Sequence, residues 1–456
     1  MSDSAAFVRA IRLRRGVQQL VRLVLNPEGT VPAFAQTFVT QVLVLVLNIA
    51  TGILSARLLG PEGRGTFTAV TLWPQFMATL VLLGLQNALV FDMRLSPTCQ
   101  DSVLTAGLTV GLVLSAIGSV TGAIVIPLAM SKAYSVGIVT FSIAATVILT
   151  PVNLVTMLLR LAFVVYGRVG TANTSAWATP LLYLGILLVI CWTVPVTAEL
   201  AACCQFSSAI LVVGWMINRL ARTFRLDFSG FRGRVKAVMS FMVRSAPGEC
   251  LAVLAATLDR LVLVPFITAS DLGFYAVAFS LSRLLMVFQA ALAPVALPAM
   301  AGRQPDDAKA LHDRLFRITL YAVVGISTTA FLTGDWALRL FYGAAFAPAG
   351  ILFKILLLEA ALNCLSFLPS QLYLTMARPG FLSLLQGMSF LMTLVGLALL
   401  VPIFGARGAA LSMLLSALFR LCGMFCGLRL VLGFSLPRLT PQPEDLTRII
   451  NGFRNP

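Results

Sequence analysis

The sequence predicts an all-α membrane protein of about twelve transmembrane helices, arranged as two six-helix lobes around a central cavity. Three observations carry that expectation. Hydrophobic residues make up 59% of the 456 positions and charged ones 11%, a balance outside the range of soluble globular domains. Apolar runs of about 20 residues recur along the chain, whereas barrel strands would read as short alternating segments, so the spans are helical. Near the middle, Arg219, Arg222, Arg225, Arg232, Arg234 and Lys236 stand against one acid, Asp227, between long apolar runs. Lys and Arg are retained on the cytoplasmic face, so this stretch reads as a cytoplasmic connection joining two membrane halves.

Taken in order, residues 1–30 form a basic amphipathic segment in which Arg9, Arg12, Arg14, Arg15 and Arg22 interleave with Phe7, Ile11, Val17, Val21 and Val24. That mixture suits a helix lying among the headgroups, with Gly16 as its weak point. The run from Val31 is longer than a signal-peptide core and carries no convincing cleavage site, so it is expected to remain as an anchor. The first lobe, 31–218, holds spans near 34–55, 66–91, 103–130, 135–159, 176–194 and 200–217. After the 219–237 linker, the second lobe, 238–432, holds spans near 238–267, 272–299, 315–332, 350–376, 381–402 and 408–431. A polar cytoplasmic tail, 433–456, follows. With the N-terminus inside, cytoplasmic segments and the span ends beside them contain 23 Lys and Arg and the outer ones six, which places both termini in the cytoplasm.

The halves repeat at a nearly constant offset. Gly65 at the head of the second span matches Gly273 at the head of the eighth, Arg168 matches Arg378, and Pro195 matches Pro402. Six helices per copy is an even number, so the copies share orientation and are related by an axis along the membrane normal.

A net charge of +16 raises the question of nucleic acid, but the bases sit in loops between spans, where membrane topology already accounts for them. The eight Cys fall mostly within apolar runs, and a single His completes no zinc spacing, so neither disulfide, metal nor other cofactor is expected. The glycine cluster Gly60-Pro61-Glu62-Gly63-Arg64-Gly65 follows a span rather than a strand and lacks nucleotide-binding spacing; it is a turn. His312, beside Asp313, has no nucleophile motif near it and reads as a surface residue. No enzyme motif is present.

What remains is charge inside spans, which is costly in lipid and therefore points to function. Arg244, Glu249, Asp259 and Arg260 lie on the seventh span, Arg283 on the eighth, Glu359 on the tenth and Arg420 on the twelfth. Glu249 and Arg260 fall on one helical face, Asp259 points elsewhere, and Pro247-Gly248 offers a bend. Arg283 and Arg420 lie near the midplane, as candidates for an anion site; the competing reading pairs them with Glu249, Asp259 or Glu359 as bridges between helices. Gln41, Asn48, Gln75, Gln86 and Asn87 are candidates for a sugar path or for helix packing.

Three segments carry a family resemblance: Ala56-Arg57-Leu58-Leu59-Gly60-Pro61-Glu62-Gly63-Arg64-Gly65, Leu258-Asp259-Arg260 with Asp271-Leu272-Gly273-Phe274-Tyr275-Ala276, and Leu400-Val401-Pro402-Ile403-Phe404-Gly405-Ala406-Arg407-Gly408. The chain resembles the polysaccharide transport (Wzx-like) flippases of the multidrug, oligosaccharidyl-lipid and polysaccharide exporter superfamily. The resemblance implies alternating access by two lobes and a substrate of undecaprenyl-pyrophosphate-linked oligosaccharide at a bacterial inner membrane. It also implies a polysaccharide polymerase and a chain-length regulator as candidate partners. On this basis Arg283, Arg420 and Arg260 are expected to contact the diphosphate, and Glu249, Asp259 and Glu359 to serve gating or ion coupling. The rival readings are a multidrug antiporter, a lipid II flippase and a non-transporting scaffold. The antiporter would often place an acid in the first helix, and none lies between Glu28 and Glu62.

Overall fold

The computed structural model describes residues 30–95, 99–222 and 224–437. Almost all of the expected N-terminal segment and the tail beyond Pro437 lie outside the described residues. Among the described residues there are helices, turns and bends but no strand.

Helix α1 (Thr30–Leu82) carries the first two expected spans, separated by a kink at Gly60, whose φ of 66° and ψ of −177° only glycine adopts without strain. The second span is interrupted again at Leu83 and Gly84, with φ of 24° and 82°, so that α2 (Leu85–Leu95) is a short separate helix. Then come α3 (Gln100–Met130), α4 (Val136–Val165), α5 (Val169–Ile190) and α6 (Ala198–Ala221). Beyond the linker, α7 (Phe231–Phe266) runs without a break through 247–248. The eighth expected span is divided into α8 (Ala269–Ser282) and α9 (Met286–Met300) by a 3-10 turn that begins at Arg283. Helices α10 (Pro305–Tyr342), α11 (Ala349–Thr375), α12 (Pro379–Phe404) and α13 (Ala406–Leu430) complete the described chain.

Ten stretches among the described residues are long and apolar enough to cross a membrane. One of them, Gln36–Leu82, holds two expected spans, and α7 occupies the seventh expected span. The twelve expected spans are thus all present as helix.

The chain divides into two compact units, Met1–Leu59 with Phe67–Thr257, and Gly60–Thr66 with Leu258–Pro456. In the first, Leu85, Leu89, Met93, Leu104, Leu158 and Phe163 form a core with almost no exposure. In the second, α11 is the enclosed helix: 61% of its most apolar window is buried, against 17% for α12, so a polar group on α11 meets protein rather than lipid.

The repeat read from sequence has a geometric counterpart. Helix α4 ends with Arg168 N–H donating to Phe163 C=O at 2.7 Å and Gly167 N–H to Val164 C=O at 3.1 Å. Helix α11 ends with Arg378 N–H donating to Tyr373 C=O at 2.9 Å and Ala377 N–H to Leu374 C=O at 3.1 Å. Both are Schellman ends with a left-handed residue, Gly167 in one copy and Ala377 in the other. Pro195 and Pro402 do not share a position: the first lies in a loop before α6, the second inside the last turn of α12.

Candidate functional site

Five of the six residues singled out from sequence converge within the second unit. The two sides of this cluster are set by helix spacing. Tyr275, Phe279 and Arg283 follow at i, i+4 and i+8 along α8 and its terminal turn, and Glu359 and Asn363 at i and i+4 on α11, so each trio or pair shares one face. Helix α8 starts sharply because Thr268 caps it, accepting from Asp271 N–H at 3.2 Å and donating to the Asp271 carboxylate at 2.8 Å.

Arg283 and Glu359 form the centre. Arg283 Nη1 lies 3.0 Å from Glu359 Oε2, and both terminal nitrogens reach Oε1, at 3.4 and 3.3 Å. Glu359 is 3% exposed, so the pair is largely removed from water. Asn363 donates its amide to Glu359 Oε1 and accepts from Arg420 Nη2, which links α13 into the same network. Arg420 Nε is buried and has no hydrogen-bond partner among the described residues.

Asp259 and Tyr275 form the second pole. The Tyr275 hydroxyl donates to Asp259 Oδ2 at 2.6 Å and lies 3.2 Å from Met413 Sδ. Arg260 Nε stands 4.0 Å from Asp259 Oδ1, a loose ion pair. The Phe279 ring joins the poles: the Arg260 guanidinium carbon lies 4.8 Å from its centroid and that of Arg283 4.4 Å. Three arginines and two carboxylates thus share one network.

Of the two sequence readings of Arg283, an anion site and a bridge to a carboxylate on another helix, the contact with Glu359 is the one present here. Arg420 reaches the same carboxylate only through Asn363. Glu249 does not join the cluster. Its Oε2 accepts from Gly84 N–H at 2.8 Å and its Oε1 from the Asn87 amide, so it caps the N-terminus of α2 at the second break. Asn87, a candidate for a sugar path, is therefore engaged in packing.

Tyr275, Phe279 and Asn363 were not singled out from sequence, although their spacing relative to Arg283 and Glu359 was available as a signal. Arg160 was also missed, because the fourth span was expected to end at 159; α4 continues to Val165 and carries Arg160 within it. Its Nε donates to Ser175 Oγ at 3.0 Å and its Nη2 to the Ser175 carbonyl at 2.9 Å, tying α4 to α5. Among the described residues no group of His, Cys, Asp and Glu could hold a metal ion.

These helices and their buried network define a class, that of helical membrane proteins with the fold of the MOP superfamily transporters. A MATE family multidrug resistance transporter of the MOP superfamily, in an inward-facing conformation, superposes with a TM-score of 0.66 at 15% identity, over 86% of this chain and 95% of the other. The lipid II flippase MurJ, in an inward closed conformation, gives 0.68 at 12% identity, over 92% and 90%. A MOP superfamily transporter from Pyrococcus furiosus gives 0.53 at 13% identity, over 89% and 96%. The chain belongs to the polysaccharide biosynthesis protein family, whose profile matches residues 54–350. No curated protein matches the sequence.

Proposed function

We propose that this protein is a flippase that carries an undecaprenyl-pyrophosphate-linked oligosaccharide across a bacterial inner membrane, with both termini in the cytoplasm, by alternating access. One observation carries the reading: a buried network in which three arginines meet two carboxylates, with the Nε–H of Arg420 lacking an acceptor among the described residues. A diphosphate offers oxygen acceptors and negative charge to a cluster of three guanidinium groups, and guanidinium stays charged where an amine would not. In this reading Arg420 supplies a free donor, Arg283 exchanges Glu359 for phosphate oxygen, and Arg260 contributes from the Asp259 side. Asp259, Glu359 and Glu249 are the acids available for gating or ion coupling. A polysaccharide polymerase and a chain-length regulator are the proposed partners.

The test is deletion of the gene with analysis of surface polysaccharide and lipid-linked intermediates. The expected result is loss of one surface polysaccharide while its lipid-linked repeat unit still assembles on the cytoplasmic side. Normal polysaccharide with altered drug resistance would instead support a multidrug antiporter, the reading favoured by the fold likeness to the MATE transporter.

A further inference from the structure

The basic linker is held in one geometry by the first unit. Arg225 N–H donates to Asp101 Oδ2 at 3.2 Å, and Asp227 N–H to Thr105 Oγ1 at 3.2 Å, both on α3. The Tyr166 hydroxyl donates to the other oxygen of Asp101 at 2.6 Å, so the anchor itself is fixed from the end of α4. Two backbone N–H groups two residues apart bonded to one helix describe an extended segment. In such a segment Leu226 and Phe228 project on a common face. They are 69% and 61% exposed.

The charge around them is predominantly positive, with Asp101 and Asp227 as the acids beside the segment. Arg219, Arg222, Arg225, Arg232 and Lys236 are exposed. Asp227 is occupied by Ser229, whose N–H and Oγ donate to its carboxylate at 2.9 and 2.8 Å. Those bonds hold the Asp227 carboxyl below its ordinary range, so it stays ionised, one negative charge among the surrounding bases. The loop follows the last turn of α6, a helix apolar enough to span, and so emerges at the lipid–water boundary.

We propose that Arg222 and residues 224–232 form a docking surface for acidic phospholipid, with Leu226 and Phe228 inserted among the acyl chains at the interface and the surrounding arginines on the headgroup phosphates. Charge complementarity selects this occupant. An apolar pair supplies insertion and a basic ring supplies attraction to anionic lipid, the two signals that together make interfacial binding firm. Positive-inside topology accounts for the sign of the charge but not for two exposed apolar side chains fixed in its midst. The inference does not depend on what the protein transports.

The test uses the full chain with photoreactive benzoyl-phenylalanine in place of Phe228, reconstituted in nanodiscs of mixed phosphatidylglycerol and phosphatidylcholine. Irradiation and mass spectrometry then count the lipid adducts. The expected result is enrichment of phosphatidylglycerol adducts above its mole fraction. That enrichment should fall by about fivefold for each arginine replaced in the series Arg222→Gln, Arg225→Gln, Arg232→Gln, and should fall with added salt. The same probe at Trp192, which is 88% exposed at the opposite end of its helix pair, should follow bulk composition. Adducts at 228 that follow bulk composition, or that form with protein alone, would overturn the proposal.

Discussion

Gly65 and Gly273, the two positions paired by the internal repeat, lie against one another. A methyl group on Gly65 would sit 1.6 Å from the Ala269 carbonyl oxygen and 2.9 Å from Gly273 N, and one on Gly273 would sit 2.0 Å from the Pro61 carbonyl oxygen and 3.1 Å from Gly65 N. The obstacles are backbone atoms, which cannot rotate away. Helix crossings inside membranes rely on small residues for this reason.

Gly65→Ala and Gly273→Ala are therefore expected to destabilise the protein by about 1–3 kcal/mol or more, through overpacking. Thermal unfolding in detergent reads this directly. Gly214→Ala serves as the control, because nothing lies within 4 Å of its would-be methyl; it should hold or raise the midpoint, as replacing glycine in a helix does by about 0.5–1 kcal/mol. Equal behaviour of all three variants would contradict the contact.

Arg283→Gln leaves Glu359 enclosed without its cation, and breaking a buried pair costs about 3–5 kcal/mol. Reduced abundance of the single variant is the expected outcome. The double variant Arg283→Met, Glu359→Leu should recover abundance, since an apolar replacement removes both desolvated charges together. If Arg283 also binds diphosphate, the double variant folds but does not transport. Wild-type transport by the double variant would remove Arg283 from the substrate site.

Glu249→Ala leaves the buried Gly84 N–H without its acceptor, at about 1–3 kcal/mol for an unsatisfied buried group, while the exposed Asn87 amide turns to water. Glu249→Gln keeps an acceptor oxygen and is expected to restore most of that stability. Transport by the Gln variant then separates two roles. Preserved transport means that Glu249 acts as a helix cap; lost transport at normal abundance means that its ionisation is used in the cycle.

The repeated Schellman ends give a paired prediction. Ala377 adopts φ 53° where its counterpart Gly167 adopts 72°. Ala377→Gly relieves a left-handed alanine and should stabilise by about 1 kcal/mol, while Gly167→Ala, with nothing within 4 Å of its added methyl, should cost a similar amount. Unfolding midpoints that move in the same direction for both changes would contradict the shared geometry.

Burial within the bilayer was legible from sequence because lipid imposes one demand everywhere: backbone polar groups must bond within the segment, so apolar runs of sufficient length become helices. The twelve spans, the basic linker and the scarcity of buried charge follow from that demand alone, and so did the choice of Arg260, Arg283, Arg420, Asp259 and Glu359. Which charges meet was not legible, because partner choice depends on how helices far apart in sequence are rotated against each other. Tertiary packing gave Glu359 to Arg283, interposed Asn363 before Arg420, and set Phe279 between two guanidinium groups. It also sent Glu249 to the end of α2, although helical periodicity had aligned it with Arg260. Periodicity describes one helix, whereas the break at Leu83 and Gly84 created an unsatisfied N–H on another, and a buried donor draws the nearest acceptor to itself.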